Sequence, residues 1–214
     1  MFLIFDTETT GFPLKGVSPS HPGQARIVQL AWLLLDEKFQ EVEHYNQLFK
    51  LSPETKISEG AQAAHGKSWE DCNLRGVSPR EGVEQFLQLT TKSSLLIAHN
   101  FAFDVQLIEI ERVVHNLGHL FCTPHYCTME ATTPICKLPN RWKGKSYKWP
   151  KLQEAYQHCY GHQFDGAHDA LADVRATAQV FKWLVDNGHY KQPICQQLPV
   201  PNPQESPTLI TSTV

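Results

Sequence analysis

Apolar residues along this 214-residue chain follow two rhythms. Unbroken or alternating short runs mark strands: Phe2 to Phe5, Arg26 to Leu35, Glu41 to Leu51, Ser94 to Ala98, and a short run within Leu120 to Met129. Helical spacing marks the rest. Ser58 to Ala64 reads as a short helix, and Pro79 to Leu89 as a longer one opened by Ser78-Pro79. Phe103 to Leu117 carries Val105, Leu107, Ile108, Val113 and Val114 on one face and stops at Gly118. A weak helix follows the fifth strand. Lys151 to Tyr160 stops at Gly161, and His168 to Asn187 is a long helix with a Gly188 stop.

Three strands joined by short turns imply an antiparallel meander, and the fully apolar first strand belongs at its centre. The later alternation of strands and helices implies an α/β fold, a mixed five-stranded sheet flanked by helices. Strands one and four are then parallel neighbours. Ligand sites in such sheets gather at the C-terminal strand ends where the order reverses. Residues 1–190 read as one domain, and 191–214 as a Pro-rich tail with five prolines after Gln192. The chain shows no basic, apolar leader and no membrane-spanning run, so an intracellular, cytoplasmic protein without membrane contact is expected.

Charge changes the picture only locally. The net charge of −3 points to no polyanion, yet Lys137 to Lys151 holds six basic residues and no acidic ones. Arg141, Trp142, Lys143, Lys145, Tyr147, Lys148, Trp149 and Lys151 interleave cations with rings, the composition of a single-strand stacking platform. The alternative is a solubilising loop whose rings fold inward. Six cysteines without a secretion signal read as free thiols. Cys122, His125, Cys127 and Cys136 suggest zinc, but the spacing lacks a second close ligand pair.

The chemistry sits in the acids. The first strand leads into Asp6-Thr7-Glu8-Thr9-Thr10-Gly11, and residues two apart on a strand share a face. Paired carboxylates repel unless a cation or a shared proton relieves them, and hard oxygen ligands suit magnesium or manganese. The alternative is a solvated strand end bearing two surface acids. Asp104 follows strand four in the first turn of a helix, where the helix dipole alone favours an acid. Asp173 shares a helical stripe with Ala170, toward the packed side, and an acid facing a core needs a partner. His168 lies five positions earlier, about 140° away on a regular helix. The two reach one site only if His168 sits at a loop-to-helix junction, and Gly166-Ala167 supplies one.

Three segments in order, Asp6-Thr7-Glu8-Thr9-Thr10-Gly11, His99-Asn100 with Phe103-Asp104, and His168 with Asp173, resemble the motifs of the DEDDh 3′–5′ exonucleases. The likeness is to the epsilon-type proofreading subunits and their stand-alone relatives, and it spans roughly residues 1–188. Ala64-His65-Gly66 and Lys151-Leu152-Gln153-Glu154-Ala155 look like further family landmarks. The resemblance implies a ribonuclease H-like fold and two divalent metals, magnesium or manganese. Asp6 would bridge both metals, Glu8 and Asp173 would complete the first, and Asp104 would hold the second through water. His168 would act as general base, and 5′-mononucleotides would leave a single-stranded or frayed 3′ end. Thr7, Thr9, His65, Asn100 and Phe103 fall where the family contacts the terminal nucleotide, although Phe103 also suits core packing. Lys143, Lys145 and Lys148 would contact the strand. DNA is the expected substrate by analogy. RNA trimming and a non-catalytic nucleic-acid-binding module are the alternatives, and a polymerase or repair partner stays open.

Overall fold

A computed structural model of the chain describes residues 1–118, 123–140 and 147–192. Five strands, β1 (Phe2–Thr9), β2 (Ile27–Leu35), β3 (Glu41–Leu48), β4 (Leu95–Ala98) and β5 (His125–Cys127), form one sheet in the order β3-β2-β1-β4-β5. The β1–β2 and β2–β3 pairs are antiparallel; β1–β4 and β4–β5 are parallel. The apolar first strand is central, as its composition demands. Seven helices complete the described residues: α1 (Glu59–His65), α2 (Trp69–Arg75), α3 (Pro79–Thr90), α4 (Phe101–Val114), α5 (Thr128–Cys136), α6 (Leu152–Tyr160) and α7 (Ala170–Asp186).

The two faces of β1 bury different cores. Leu3 and Phe5 pack with Phe86 of α3 and with Phe101, Leu107 and Ile108 of α4. Ile4 packs with Val174 and Phe181 of α7. Because side chains alternate, Asp6 and Glu8 extend the Ile4 row toward the start of α7, while Thr7 extends the Phe5 row toward α4.

Three boundaries differ from the sequence expectation. The long final helix begins at Ala170, because Asp169 Oδ1 accepts from the N–H groups of Leu171 and Ala172 and so caps it. His168 therefore lies outside the helix with φ +69°. The helix after strand four begins at Phe101 and follows Asn100, itself left-handed at φ +72°. The mixed stretch 52–78 contains the additional helix α2, opened by reciprocal bonds between Ser68 and Asp71. Residues 119–122, including Cys122, lie outside the described residues, as do 141–146 and the tail from residue 193.

Candidate active site

Each acid is delivered by a local feature of the fold. β4 stops at Ala98, so β1 runs past its parallel neighbour and leaves the Thr7 N–H without a strand partner. Asp104 fills that gap from α4: its Oδ1 accepts from Thr7 N at 3.0 Å and Thr7 Oγ1 at 2.8 Å. Asp104 is 3% exposed. Asp173, in the first turn of α7, is also buried, and its Oδ2 accepts from His168 N at 3.0 Å. Asp6 and Glu8 are half-buried at the end of β1.

The convergence shapes the electrostatics. Burial raises the Asp6 carboxyl well above the ordinary range, and the charges of Asp104, Asp173, Glu8 and Asp169 raise it further. Burial, then Asp173, lifts Glu8 to about 8, against the pull of the Lys67 ammonium. Asp104 is lifted to about 7 by burial, opposed by the two Thr7 bonds. Burial also lifts Asp173 to about 6, against the His168 N–H bond and the His168 charge. Ligand atoms of Glu8, His168 and Asp173 lie within 4.8 Å of one another. Carboxylates that resist ionisation alone, clustered beside one imidazole, are a donor set that fits hard divalent cations. Among the described residues this is the sole such cluster, so His125, Cys127 and Cys136 do not converge as a zinc site.

The junction carrying His168 is held from outside its own helix. Gln29 of β2, in register with Glu8, is 4% exposed. Its Oε1 accepts from Ala170 N at 3.2 Å, and its Nε2 donates to Asp169 Oδ2 at 3.1 Å and Asn46 Oδ1 at 2.7 Å. Lys67 Nζ donates to His168 O at 3.3 Å and to His65 O at 3.2 Å, and stands 3.7 Å from Asp169 Oδ2. Sequence reasoning passed over both residues. The available signal was Gln29 itself, a polar side chain inside the otherwise apolar run Ile27–Leu35.

The residues expected near the substrate divide. Thr7 is buried and committed to Asp104, and the Thr9 hydroxyl donates to Gly11 O. His65 is buried with both ring nitrogens engaged: Nδ1 accepts from Lys67 N and Nε2 donates to Thr9 O. Asn100 and Phe103 are half-buried, and the Phe103 ring meets Phe12 edge-on at 6.0 Å. Phe12, not singled out from the sequence, is 87% exposed beside the β1 terminus. Lys148 pairs with Glu154 at 2.7 Å, whereas Lys143 and Lys145 lie outside the described residues. His99, half-buried with its ring desolvated and its pKa thereby lowered to about 4, donates from Nε2 to Pro150 O and accepts at Nδ1 from Thr128 Oγ1.

A mixed β3-β2-β1-β4-β5 sheet with acids converging at its β1–β4 step is the architecture of the ribonuclease H-like exonucleases. A family profile described as Exonuclease, of the RNase T type, matches residues 3–181, and the chain belongs to this DEDDh exonuclease family. The described acid cluster fits the divalent-metal chemistry of that family. No curated protein matches the sequence significantly. Among solved structures, E. coli exonuclease I in complex with a dT13 oligonucleotide superposes with a TM-score of 0.68 at 21% identity, covering 86% of this chain and 40% of that one. The zinc-bound form of the E. coli exonuclease I complex with single-stranded DNA gives a TM-score of 0.69 at 20% identity, covering 87% and 40%. Exonuclease I from Methylocaldum szegediense gives 0.64 at 21%, covering 86% and 40%. At such identities the likeness is one of fold. The chain spans about two fifths of these proteins' length. Among the described residues, no helix is long and apolar enough to cross a membrane.

Proposed function

We propose that the chain is a 3′–5′ exonuclease that shortens DNA stepwise from a single-stranded or frayed 3′ end and releases 5′-mononucleotides. The observation that carries this reading is the meeting of Asp6, Glu8, Asp104 and Asp173, from three elements, at one strand terminus with His168 beside them. These four carboxylates would hold two divalent cations, magnesium or manganese. When bound, such a pair supplies Lewis-acid stabilisation of the charge that grows on the phosphodiester oxygens. The protein's own groups do the rest. Thr7 fixes Asp104, and the His168 N–H fixes Asp173, so neither carboxylate swings away. The His168 side chain is exposed at the rim, and an imidazole is suited to take the proton of an attacking water near neutral pH. Water oxygen bonds to the terminal phosphorus, the P–O3′ bond breaks, and the departing 3′ oxygen remains on the shortened strand as a hydroxyl. The Phe12–Phe103 ring pair offers the terminal bases a stacking surface. Two exonuclease I structures that share the fold hold a dT13 oligonucleotide and single-stranded DNA, which supports the choice of substrate.

The deciding experiment follows 5′-labelled DNA and RNA, single- and double-stranded, with magnesium and with chelator. A ladder of shortened DNA that requires magnesium is expected. Immediate release of the 5′ label, internal cutting, or digestion that survives chelation overturns the proposal. Preferential shortening of RNA overturns the substrate assignment.

A further inference from the structure

We infer that Gln29 and Lys67 are positioning residues that clamp the 168–170 junction and thereby hold the His168 imidazole over the Glu8–Asp173 pair. The inference rests on the proposed role of His168. Three consecutive residues are gripped from two separate places in the fold, β2 and the turn between α1 and α2: His168 O by Lys67, Asp169 Oδ2 by Gln29 with Lys67 at 3.7 Å, and Ala170 N by Gln29. Helix capping does not require this. Asp169 Oδ1 alone accepts from Leu171 and Ala172, which leaves Oδ2 wholly to the clamp.

Both grips are directional. The Gln29 amide donates to two acceptors and accepts from one donor, so turning it over would set its oxygen against Asn46 Oδ1 and Asp169 Oδ2. Lys67 is anchored in the turn between α1 and α2, where its N–H donates to His65 Nδ1 and its Nζ to His65 O. That turn is tied in turn to β1, because His65 Nε2 donates to Thr9 O. The clamp therefore references His168 to the strand that carries Asp6 and Glu8. It is needed because His168 sits at φ +69° with an exposed side chain, a backbone state that a residue with a β-carbon keeps only when its surroundings enforce it. Released, the junction relaxes and the imidazole leaves the site, while Asp6 and Glu8 on β1 and Asp104, held by Thr7, stay.

The test compares single-turnover shortening of a 5′-labelled oligothymidylate in magnesium by the wild type, Lys67→Ala, Lys67→Arg, Gln29→Leu, His168→Ala and the Lys67→Ala/His168→Ala double variant. Lys67→Ala and Gln29→Leu are expected to slow the chemical step roughly tenfold to a hundredfold, as displaced catalytic groups do. Their KM for the oligonucleotide should move less than about threefold, and Lys67→Arg should recover most of the rate. In the His168→Ala background, Lys67→Ala should cost nothing more, since residues acting through one group are not additive. Amide hydrogen exchange of the metal-free protein should quicken at residues 166–172 and nowhere else. If the wild type does not shorten the strand, or His168→Ala keeps its rate, the functional reading fails and the clamp with it. If His168→Ala is slow but Lys67→Ala slows it again by the same factor, or leaves rate and local exchange unchanged, the clamp is overturned and the functional reading stands. Should Gln29→Leu not fold, the Lys67 variants decide alone, because Lys67 lies in a turn outside the core.

Discussion

Asp6 carries a charge that the fold tolerates poorly, since burial disfavours it and Asp104, Asp173, Glu8 and Asp169 all press on it. Asp6→Asn removes one charge from that cluster without changing its shape. The metal-free variant is therefore expected to melt a few degrees above the metal-free wild type. If the proposed function holds, its shortening of DNA should fall by about a thousandfold or more, because Asp6 would then be a ligand of the cations at the reacting centre. Calorimetry and the labelled-strand assay read the two effects separately. A variant that trims at the wild-type rate would remove Asp6 from the site, and an unchanged melting point would deny the repulsion.

At the scale of elements, β2 and α4 are joined by a buried ion pair that serves the scaffold. Arg26 donates to Glu111 from Nε at 2.9 Å and from a terminal nitrogen at 2.6 Å, and Glu111 also accepts from Ile27 N. Glu111 is 1% exposed, so Glu111→Ala strands a guanidinium and a backbone N–H together. A loss of about 3–5 kcal/mol in urea unfolding is expected. A loss below about 1 kcal/mol would show that water replaces the carboxylate. Most elements were legible because period and punctuation agree: the run Phe2 to Phe5, the Gly161 and Gly188 stops, and the apolar face of α4. The central position of β1 and its parallel pairing with β4 followed from the same pattern. The misplaced starts share one cause. Asp169 and Asn100 set their helix boundaries through a side-chain cap and a left-handed backbone, and hydrophobic spacing does not report either. α2 was obscured because its box uses Ser68 with Asp71, a shorter acid than the usual glutamate. The acids could be read because three motifs occur in order. Gln29 and Lys67 could not, since their partners lie far off in sequence and include main-chain atoms.

The whole molecule carries its acidic cluster into its pH behaviour. Glu8 near 8, Asp104 near 7 and Asp173 near 6 keep protons that the unfolded chain gives up near 4. The folded state thus binds more protons across that window. The stability they lend is full in acid and drains away as pH rises toward about 8. Metal-free protein should accordingly melt several degrees lower at about pH 8.5 than at about pH 6. Magnesium should restore the alkaline melting point, because cations take over the neutralising role of the protons. A flat melting profile without metal would mean that the carboxylates do not crowd one another in solution.

The two ends of the basic segment are fastened independently of whatever lies between them. Lys148 N donates to Leu138 O at 3.0 Å, and His99 grips Pro150 O from the end of β4. This stirrup sets the ends of the segment from the scaffold. Inserts of other lengths and charge can be grafted between Leu138 and Lys148 with an entropy penalty that grows only slowly with length, which would show whether charge there alters strand preference without touching the carboxylates.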